Sequence, residues 1–399
     1  PGSGDTTPPA VSNFDPASGA TIGASYTFKA TVTDASGIRS VSFYVQKSGY
    51  AAQKFSASGT GGDTYAYSLQ GFTDGTWSWW VVAKDKAGNT TTTNPVPFSV
   101  STSGGGGGGG GGGDTVVTNA NWGSRSGDLR TAAGRLYFEM PSNPKQTRWT
   151  GYVCSGTVVV DETSGRSIIL TAGHCVYDDS HKAFARNVMF FPDQADTTGS
   201  GTDLTCSNDP LGCWTPSFGV VDVDYTTRTF PDNDQWDYAY YVVSDTGHHS
   251  SGYTSDVSSV LDAATTPMTV SFADPAVNTP DSSDYTYALG YSYSEDPNFM
   301  YCAEDMTTTG SVNWWLPSCG LSGGSSGGPW VQGMTVSGGA TTTEGQVMSV
   351  NSWGYTNSPG MAGPKLNDGS STAACVFSRA KAEALSPAPS SRGYAETCP

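Results

Sequence analysis

Charge is scarce in this 399-residue chain, with Asp, Glu, Lys and Arg making up 14% of it, against about 25% in an ordinary globular protein. Positive charge is scarcer still: 19 Lys and Arg face 36 Asp and Glu, for a formal net charge of −17. Nucleic acid is bound by neutralising phosphates with basic side chains, so this balance argues against it as a partner. No apolar run approaches the roughly 18 residues that span a bilayer, so no membrane partner is expected. There are only four histidines, and neither a CxxC pair nor an HExxH is present, so no metal and no other cofactor is expected. The doublet His248-His249 reads as surface loop. Pro1 to Pro9 lacks the apolar core of a signal peptide, and the chain as given reads as already processed.

What is abundant is glycine, 51 residues in all, ten of them consecutive from Gly104 to Gly113. Such a run is a flexible linker with an end-to-end distance of roughly 16 to 19 Å. It divides the chain into a module over 1–103 and a larger domain over 114–399, which are expected to reorient freely. Six Asp offset five Lys and one Arg before residue 104, so the negative charge lies beyond the linker, where it serves solubility.

The first module reads as a small β-sandwich. Phe28, Ala30 and Val32 alternate with polar residues, as do Val41, Phe43 and Val45, and further strands are expected at Tyr65–Leu69, Trp77–Ala83 and Val96–Val100. The pattern resembles bacterial immunoglobulin-like modules, without the disulfide of antibody domains. With Trp77, Trp79, Val81 and Ala83 inside, Trp80 and Tyr44 fall on the outer face. Such aromatics either bind an insoluble substrate or surface or are ordinary covered side chains, and the second reading is favoured.

In the larger domain, Gly324-Ser325-Ser326-Gly327-Gly328-Pro329 frames a serine with glycine, the arrangement acyl transfer needs to bring backbone N–H groups close to a developing oxyanion. Ser326 is the candidate nucleophile, and the N–H groups of Gly324 and Ser326 are the candidate oxyanion donors. Upstream, the apolar strand Ile168-Ile169-Leu170 runs into Thr171-Ala172-Gly173-His174-Cys175, which presents His174 as a candidate general base. Asp237 heads the apolar run Tyr238–Val243, where a carboxylate can orient an imidazole. The order His174, Asp237, Ser326 excludes an α/β-hydrolase, whose histidine follows its serine. It also excludes the subtilisin order. A thiol peptidase is disfavoured because all eight cysteines are better explained as paired.

On Cys154-Ser155-Gly156-Thr157, Thr171–Cys175, Asp237-Tyr238-Ala239, the Ser326 loop and Ser352-Trp353-Gly354, residues 120 to 385 or so resemble the chymotrypsin-like (trypsin-fold) serine peptidases, closest to their secreted bacterial members. The resemblance implies an all-β fold: two six-stranded barrels and a C-terminal helix, here expected over Ser378–Leu385. It further implies a substrate-pairing strand at Ser352, Trp353 and Gly354, and a Cys154–Cys175 disulfide pinning the His174 loop. Eight cysteines allow 105 pairings. Proximity suggests Cys206 with Cys213, Cys302 with Cys319, and Cys375 with Cys398, an oxidised set that points to secretion into the extracellular space. Other strands are expected at Thr157–Val160, Ser167–Leu170, Asn187–Phe191, Tyr238–Val243, Thr269–Phe272, Tyr285–Gly290 and Gln346–Trp353.

Two positions depart from the family pattern. Ser325 stands where zymogen-activated members carry an aspartate, so maturation by a freed N-terminal amine is not expected. Gly320 stands where trypsin-type members carry the aspartate that binds Arg or Lys. An uncharged pocket floored by Gly320, with Leu321, Met361 and Ala362 as walls, favours an apolar or aromatic residue before the cut. Glu304 or Asp305 swinging in is the route to a basic preference. An acidic preference ranks last, since Asn351 stands where glutamate-specific relatives carry a histidine. The expected protein is a monomeric serine endopeptidase acting on proteins or peptides; the alternatives are trypsin-like cleavage, an esterase, or an inactive binding protein on the same fold.

Overall fold

The computed structural model describes residues 5–22, 25–47, 52–70, 72, 75–100, 115–123, 128–201, 203–246, 260–279, 282–337, 340–355, 358–367, 372–385 and 392–398. The polyglycine linker and the doublet His248-His249 lie outside these residues. Two compact units divide within the glycine run, Pro1–Gly110 and Gly111–Pro399.

In the first unit the period-2 pattern becomes a β-sandwich with strands at Ala10–Asp15, Ser25–Thr33, Ile38–Lys47, Gln53–Gly61, Thr64–Gln70, Gly75–Asp85 and Val96–Val100. Gln53–Ala57 pair with the strand Ile38–Lys47, whereas Ser58–Gly61 pair with Thr64–Gln70, so one segment joins the two layers. Phe28, Phe43, Trp79, Val81 and Phe98 are buried between them. Trp79 meets Phe28 edge-on at 5.0 Å and Phe43 at 5.3 Å, and its indole N–H donates to the Pro16 carbonyl oxygen at 3.0 Å. Trp77 is only half-buried, at the margin against Phe72. Tyr44 and Trp80 do face outward, as cross-strand neighbours stacked on each other at 5.4 Å.

The second unit is also mostly β. One seven-stranded sheet runs Arg186–Pro192, Ala133–Pro141, Trp149–Val159, Arg166–Thr171, Ala239–Ser244, Phe218–Asp222 and Gly393–Glu396, the last pair parallel and the rest antiparallel. A five-stranded sheet contains Val117–Asn121, Met300–Asp305, Tyr285–Gly290, Pro329–Gln332 and Gln346–Val350. A four-stranded sheet contains Thr307–Thr309, Asn313–Leu316, Met361–Pro364 and Trp353–Gly354. Ile168, Ile169 and Leu170 are all fully buried, which explains why the centre of the strand Arg166–Thr171 is an unbroken apolar run that does not alternate.

Three local expectations need correction. The C-terminal helix spans Thr372–Ala382, beginning earlier than Ser378 and ending before Leu385. Ala373, Val376, Phe377 and Ala380 form an i, i+3, i+4, i+7 stripe that is buried, and this packing sets its start. Thr269–Phe272 is no strand; Val270 makes only an isolated bridge to Val347. Gln346–Trp353 is broken into Gln346–Val350 and Trp353–Gly354, because the Asn351 N–H turns to the Gly328 carbonyl and the Ser352 N–H to the Ala362 carbonyl, both at 2.9 Å.

All four expected disulfides are present: Cys154–Cys175, Cys206–Cys213, Cys302–Cys319 and Cys375–Cys398. No helix among the described residues is long and apolar enough to cross a membrane.

Candidate active site

Register places the first two candidate residues together. Thr171 pairs with Ala239 at the end of two antiparallel strands, so the turn bearing His174 and the segment bearing Asp237 leave the sheet side by side. His174 sits in a short 3-10 turn over Gly173–Cys175, tied by the Cys154–Cys175 disulfide to the strand Trp149–Val159, the neighbour of the strand that leads into the turn. The Asp237 carboxylate receives the His174 backbone N–H at 2.8 Å and the ring nitrogen Nδ1 at 2.8 Å, and the Ser352 hydroxyl donates to it as well. A carboxylate on Nδ1 leaves Nε2 free to accept a proton.

These contacts move both titrations. Desolvation pulls the His174 pKa down, but the Asp237 charge and hydrogen bond outweigh it, and the net direction is up. Burial pushes the Asp237 carboxyl up, yet the His174 charge and the donors His174 and Ser352 prevail, and it ends lower than usual. The pair is built to hold a proton on the imidazole once His174 receives one.

Ser326 follows from the other sheets. Pro329 pairs with Val350, which puts the Gly324–Gly328 loop beside Asn351 and Ser352. Gly324 has φ +97°, and a Cβ there would come within 2.8 Å of the Tyr291 carbonyl oxygen. Gly327 has φ +81° and packs against Thr171 and the Ser155 carbonyl with no room for a side chain. Both positions require glycine. Ser155, itself buried, holds the loop from below: its N–H donates to the Ser326 carbonyl oxygen at 2.7 Å and its hydroxyl to the Gly324 carbonyl oxygen at 3.0 Å. Among the described residues, neither the Gly324 nor the Ser326 N–H donates to a protein acceptor. His174 and Ser326 line one cavity of about 330 Å³ together with Asp178 and Asp179.

A second cavity, of about 610 Å³, adjoins Ser326 and is lined by Gly320, Leu321, Ser352, Trp353, Gly354 and Met361, among others. No charged side chain lines it among the described residues. Ala362 is not a wall residue; it is buried in strand pairing with Trp315 and Trp353. Glu304 does not swing in either. It is buried, its carboxylate accepts the Ser318 N–H at 2.7 Å, and burial pushes its pKa up to about 7. Asp305 is exposed. Ser325 donates its hydroxyl to the Ser322 carbonyl oxygen at 2.7 Å.

Asn351, expected at a pocket position, instead supports the candidate nucleophile loop. Its side chain is fully buried, donating to the Leu289 and Ser325 carbonyl oxygens at 2.8 and 2.9 Å and accepting from the Trp330 indole at 2.8 Å. The available signal was a polar pair, Asn351-Ser352, between Val350 and Trp353. Two groups of residues have metal-like spacing among the described residues. In Cys154–His174–Cys175 the sulfurs are committed to a disulfide. In Asp5–Asp34–Asp85, the Asp85 carboxylate is occupied by the Gly88 and Asn89 N–H groups of its own turn.

No curated protein matches the chain. Several solved structures are similar in part. An endo-beta-1,4-mannanase from Thermotoga petrophila is 20% identical over 25% of this chain and 21% of its own, with a TM-score of 0.21. The fibronectin(III)-like modules of Clostridium thermocellum CbhA are 21% identical over 23% of this chain and 94% of theirs, at 0.18. The SGBP-B of a Bacteroides ovatus mixed-linkage glucan utilization locus is 11% identical over 39% of this chain and 38% of its own, at 0.16. The chain thus spans about a fifth of the mannanase's length. Residues 9–94 match the family described as Bacterial Ig domain, and with the sandwich they form they are a bacterial Ig domain.

Proposed function

We propose that the second unit is a serine endopeptidase with the trypsin-like double-barrel fold, secreted and acting outside the cell on proteins or peptides. The observation that carries this reading is the Asp237 carboxylate, which joins the His174 ring, the His174 backbone and the Ser352 hydroxyl while His174 and Ser326 line one cavity. In this mechanism His174 takes the proton of Ser326, whose oxygen attacks the peptide carbonyl carbon. Asp237 stabilises the imidazolium, and the Gly324 and Ser326 N–H groups receive the oxyanion. His174 then gives its proton to the departing amine, and water releases the acyl-enzyme by the same steps in reverse order of partners.

The uncharged cavity beside Gly320 and Leu321 favours an apolar or aromatic residue before the cut. The Ser352–Gly354 segment favours a polypeptide over a simple ester, because it can pair with substrate backbone. Four disulfides suit an oxidising compartment. The Ig domain is a docking module in this reading, and the protein acts as a monomer.

The deciding experiment is digestion of an unbiased peptide mixture, read by mass spectrometry, with the wild type beside Ser326→Ala. Cuts that vanish in the variant are expected, with apolar residues preceding them. Cuts after Arg or Lys would replace the apolar pocket with a trypsin-like one. No cuts by either protein would leave a binding protein on this fold.

A further inference from the structure

The candidate oxyanion loop carries no charged residue between Gly320 and Gly328, and Ser325 keeps its hydroxyl within the loop. What holds the loop comes from the segment Tyr291 to Asp296. The Tyr293 N–H donates to the Gly323 carbonyl oxygen at 2.7 Å. The peptide between Gly323 and Gly324 is planar and trans, so fixing that carbonyl points the Gly324 N–H the opposite way. The Tyr291 N–H donates to the Ser155 hydroxyl oxygen at 2.8 Å, and that hydroxyl in turn donates to the Gly324 carbonyl oxygen at 3.0 Å. Two N–H groups of one segment thus fix the peptide before Gly324 and the peptide after it, at a residue whose lack of a side chain would otherwise leave both free to turn.

That segment is clamped by a buried arginine. Arg135 lies on the strand Ala133–Pro141, opposite Ser155 in the register, and its side chain is fully buried. Its guanidinium lies over the Tyr291 ring, 5.4 Å from the centroid, and forms an ion pair with Asp296. One side chain therefore grips both ends of the segment. A side chain at Gly201 would collide with the Asp296 carboxylate, so the pair is closed in from that side too. The Nε and Nη1 groups of Arg135 have no acceptor among the described residues. Taking such charges out of water is costly, and an apolar pair of similar volume commonly replaces them with no loss of stability. A buried pair with unmet donors is a poor stabiliser, which points to geometry as its contribution.

We propose that Arg135 is a positioning residue: through Tyr291 and Asp296 it aims the Gly324 N–H at the oxyanion, so that a charge pair inside the domain forms this half of the hole. The inference rests on the peptidase reading above. Arg135 touches neither substrate nor Ser326 in this role and acts only through the segment it clamps.

The test uses Arg135→Met/Asp296→Leu, which replaces the ion pair with apolar side chains, and Arg135→Lys, which keeps a charge for Asp296 but loses the flat guanidinium over Tyr291. Chromogenic peptide anilides with Phe or Arg before the cut report kcat and KM. A peptide boronate is compared, as an inhibitor, with an uncharged peptide amide of the same sequence. In the double variant kcat should fall by about 10²-fold with KM within about threefold, the loss that follows removal of one oxyanion donor. Boronate affinity should fall by a similar factor while amide affinity stays level. Arg135→Lys should show the same pattern at about tenfold or more. The ratio of the two affinities does not depend on how much of a preparation is folded. An unchanged ratio in the folded variants, or equal losses in both inhibitors, overturns the positioning role and leaves the peptidase standing. Unfolding of both variants overturns it equally, by making the pair structural. If the wild type neither cuts the anilides nor binds the boronate more tightly than the amide, the peptidase reading falls and takes this one with it.

Discussion

The Asn351 side-chain amide donates to the Ser325 carbonyl oxygen at 2.9 Å, while the Gly328 N–H donates to the same oxygen at 2.9 Å. The peptide between Ser325 and Ser326 is planar and trans, so fixing that carbonyl fixes the Ser326 N–H on its opposite side. A buried asparagine behind the loop therefore aims one of the two candidate oxyanion donors. Asn351→Ala should lower kcat with KM little changed, and should weaken a peptide boronate far more than an uncharged peptide amide of the same sequence. The loss should reach about 10²-fold in kcat if the donor turns away. The variant also leaves the Leu289 and Ser325 carbonyls short of a donor, costing about 1 to 3 kcal/mol of stability by denaturant titration. Equal losses in boronate and peptide-amide affinity would make Asn351 a purely structural residue.

The pH profile of kcat/KM carries the sign of the His174 shift. Only neutral His174 can accept the serine proton, and Asp237 raises its pKa above the ordinary value near 6.5. The rate should rise with pH, with a midpoint on the alkaline side of 6.5. Asp237→Asn should move the midpoint down and lower kcat by about 10⁴-fold, the loss this substitution causes in the general triad. A profile flat between about pH 6 and 8 would contradict a histidine base.

Glu304 supplies a stability test independent of catalysis. Its folded pKa of about 7 lies above the ordinary value of 4.5, through burial opposed by the N–H groups of Ser318 and Cys319. The folded state therefore keeps a proton that the unfolded chain releases between about pH 4.5 and 7. Stability falls as pH rises through that window, by at most roughly 3 kcal/mol from this group. Glu304→Gln should lie above the wild type at about pH 8, and the gap should close near pH 4, as read from denaturant midpoints. A constant gap would show that burial does not raise the Glu304 pKa in the folded state.

The Cys154–Cys175 bridge closes a separation of 21 residues around the His174 turn. Replacing both cysteines with Ala should cost about 3 kcal/mol by the chain-entropy account. Activity should fall further than stability requires, because the turn presenting His174 loses its tether. Thermal unfolding and anilide hydrolysis, measured on the same preparation, separate the two effects.

Much of this protein is local in origin and was legible as such. The alternation of Val41, Phe43 and Val45 reports a one-sided sheet without reference to anything distant. The two units divide within the ten glycines, and all four expected disulfides are present, three expected from proximity in sequence and Cys154–Cys175 from the family resemblance. The order His174, Asp237, Ser326 restricted the topologies that could unite them, since convergent folds reach this geometry in different orders. What the chain alone could not decide was direction. Asn351 occupies a strand position from which a side chain can face the pocket or the loop behind it, and only the carbonyls of Leu289 and Ser325 and the indole of Trp330 select the second. Thr269–Phe272 has strand composition but finds a single bridge partner, and β-structure exists only where a neighbour completes its hydrogen bonds. The cavity of about 720 Å³ that reaches Gly323 and Gly324 is assembled from Tyr137, Tyr152, Leu204 and Tyr293 among others, aromatic and aliphatic residues with no common periodicity along the chain. Sequence determines which residues can be buried and which can react; long-range packing determines which of them meet.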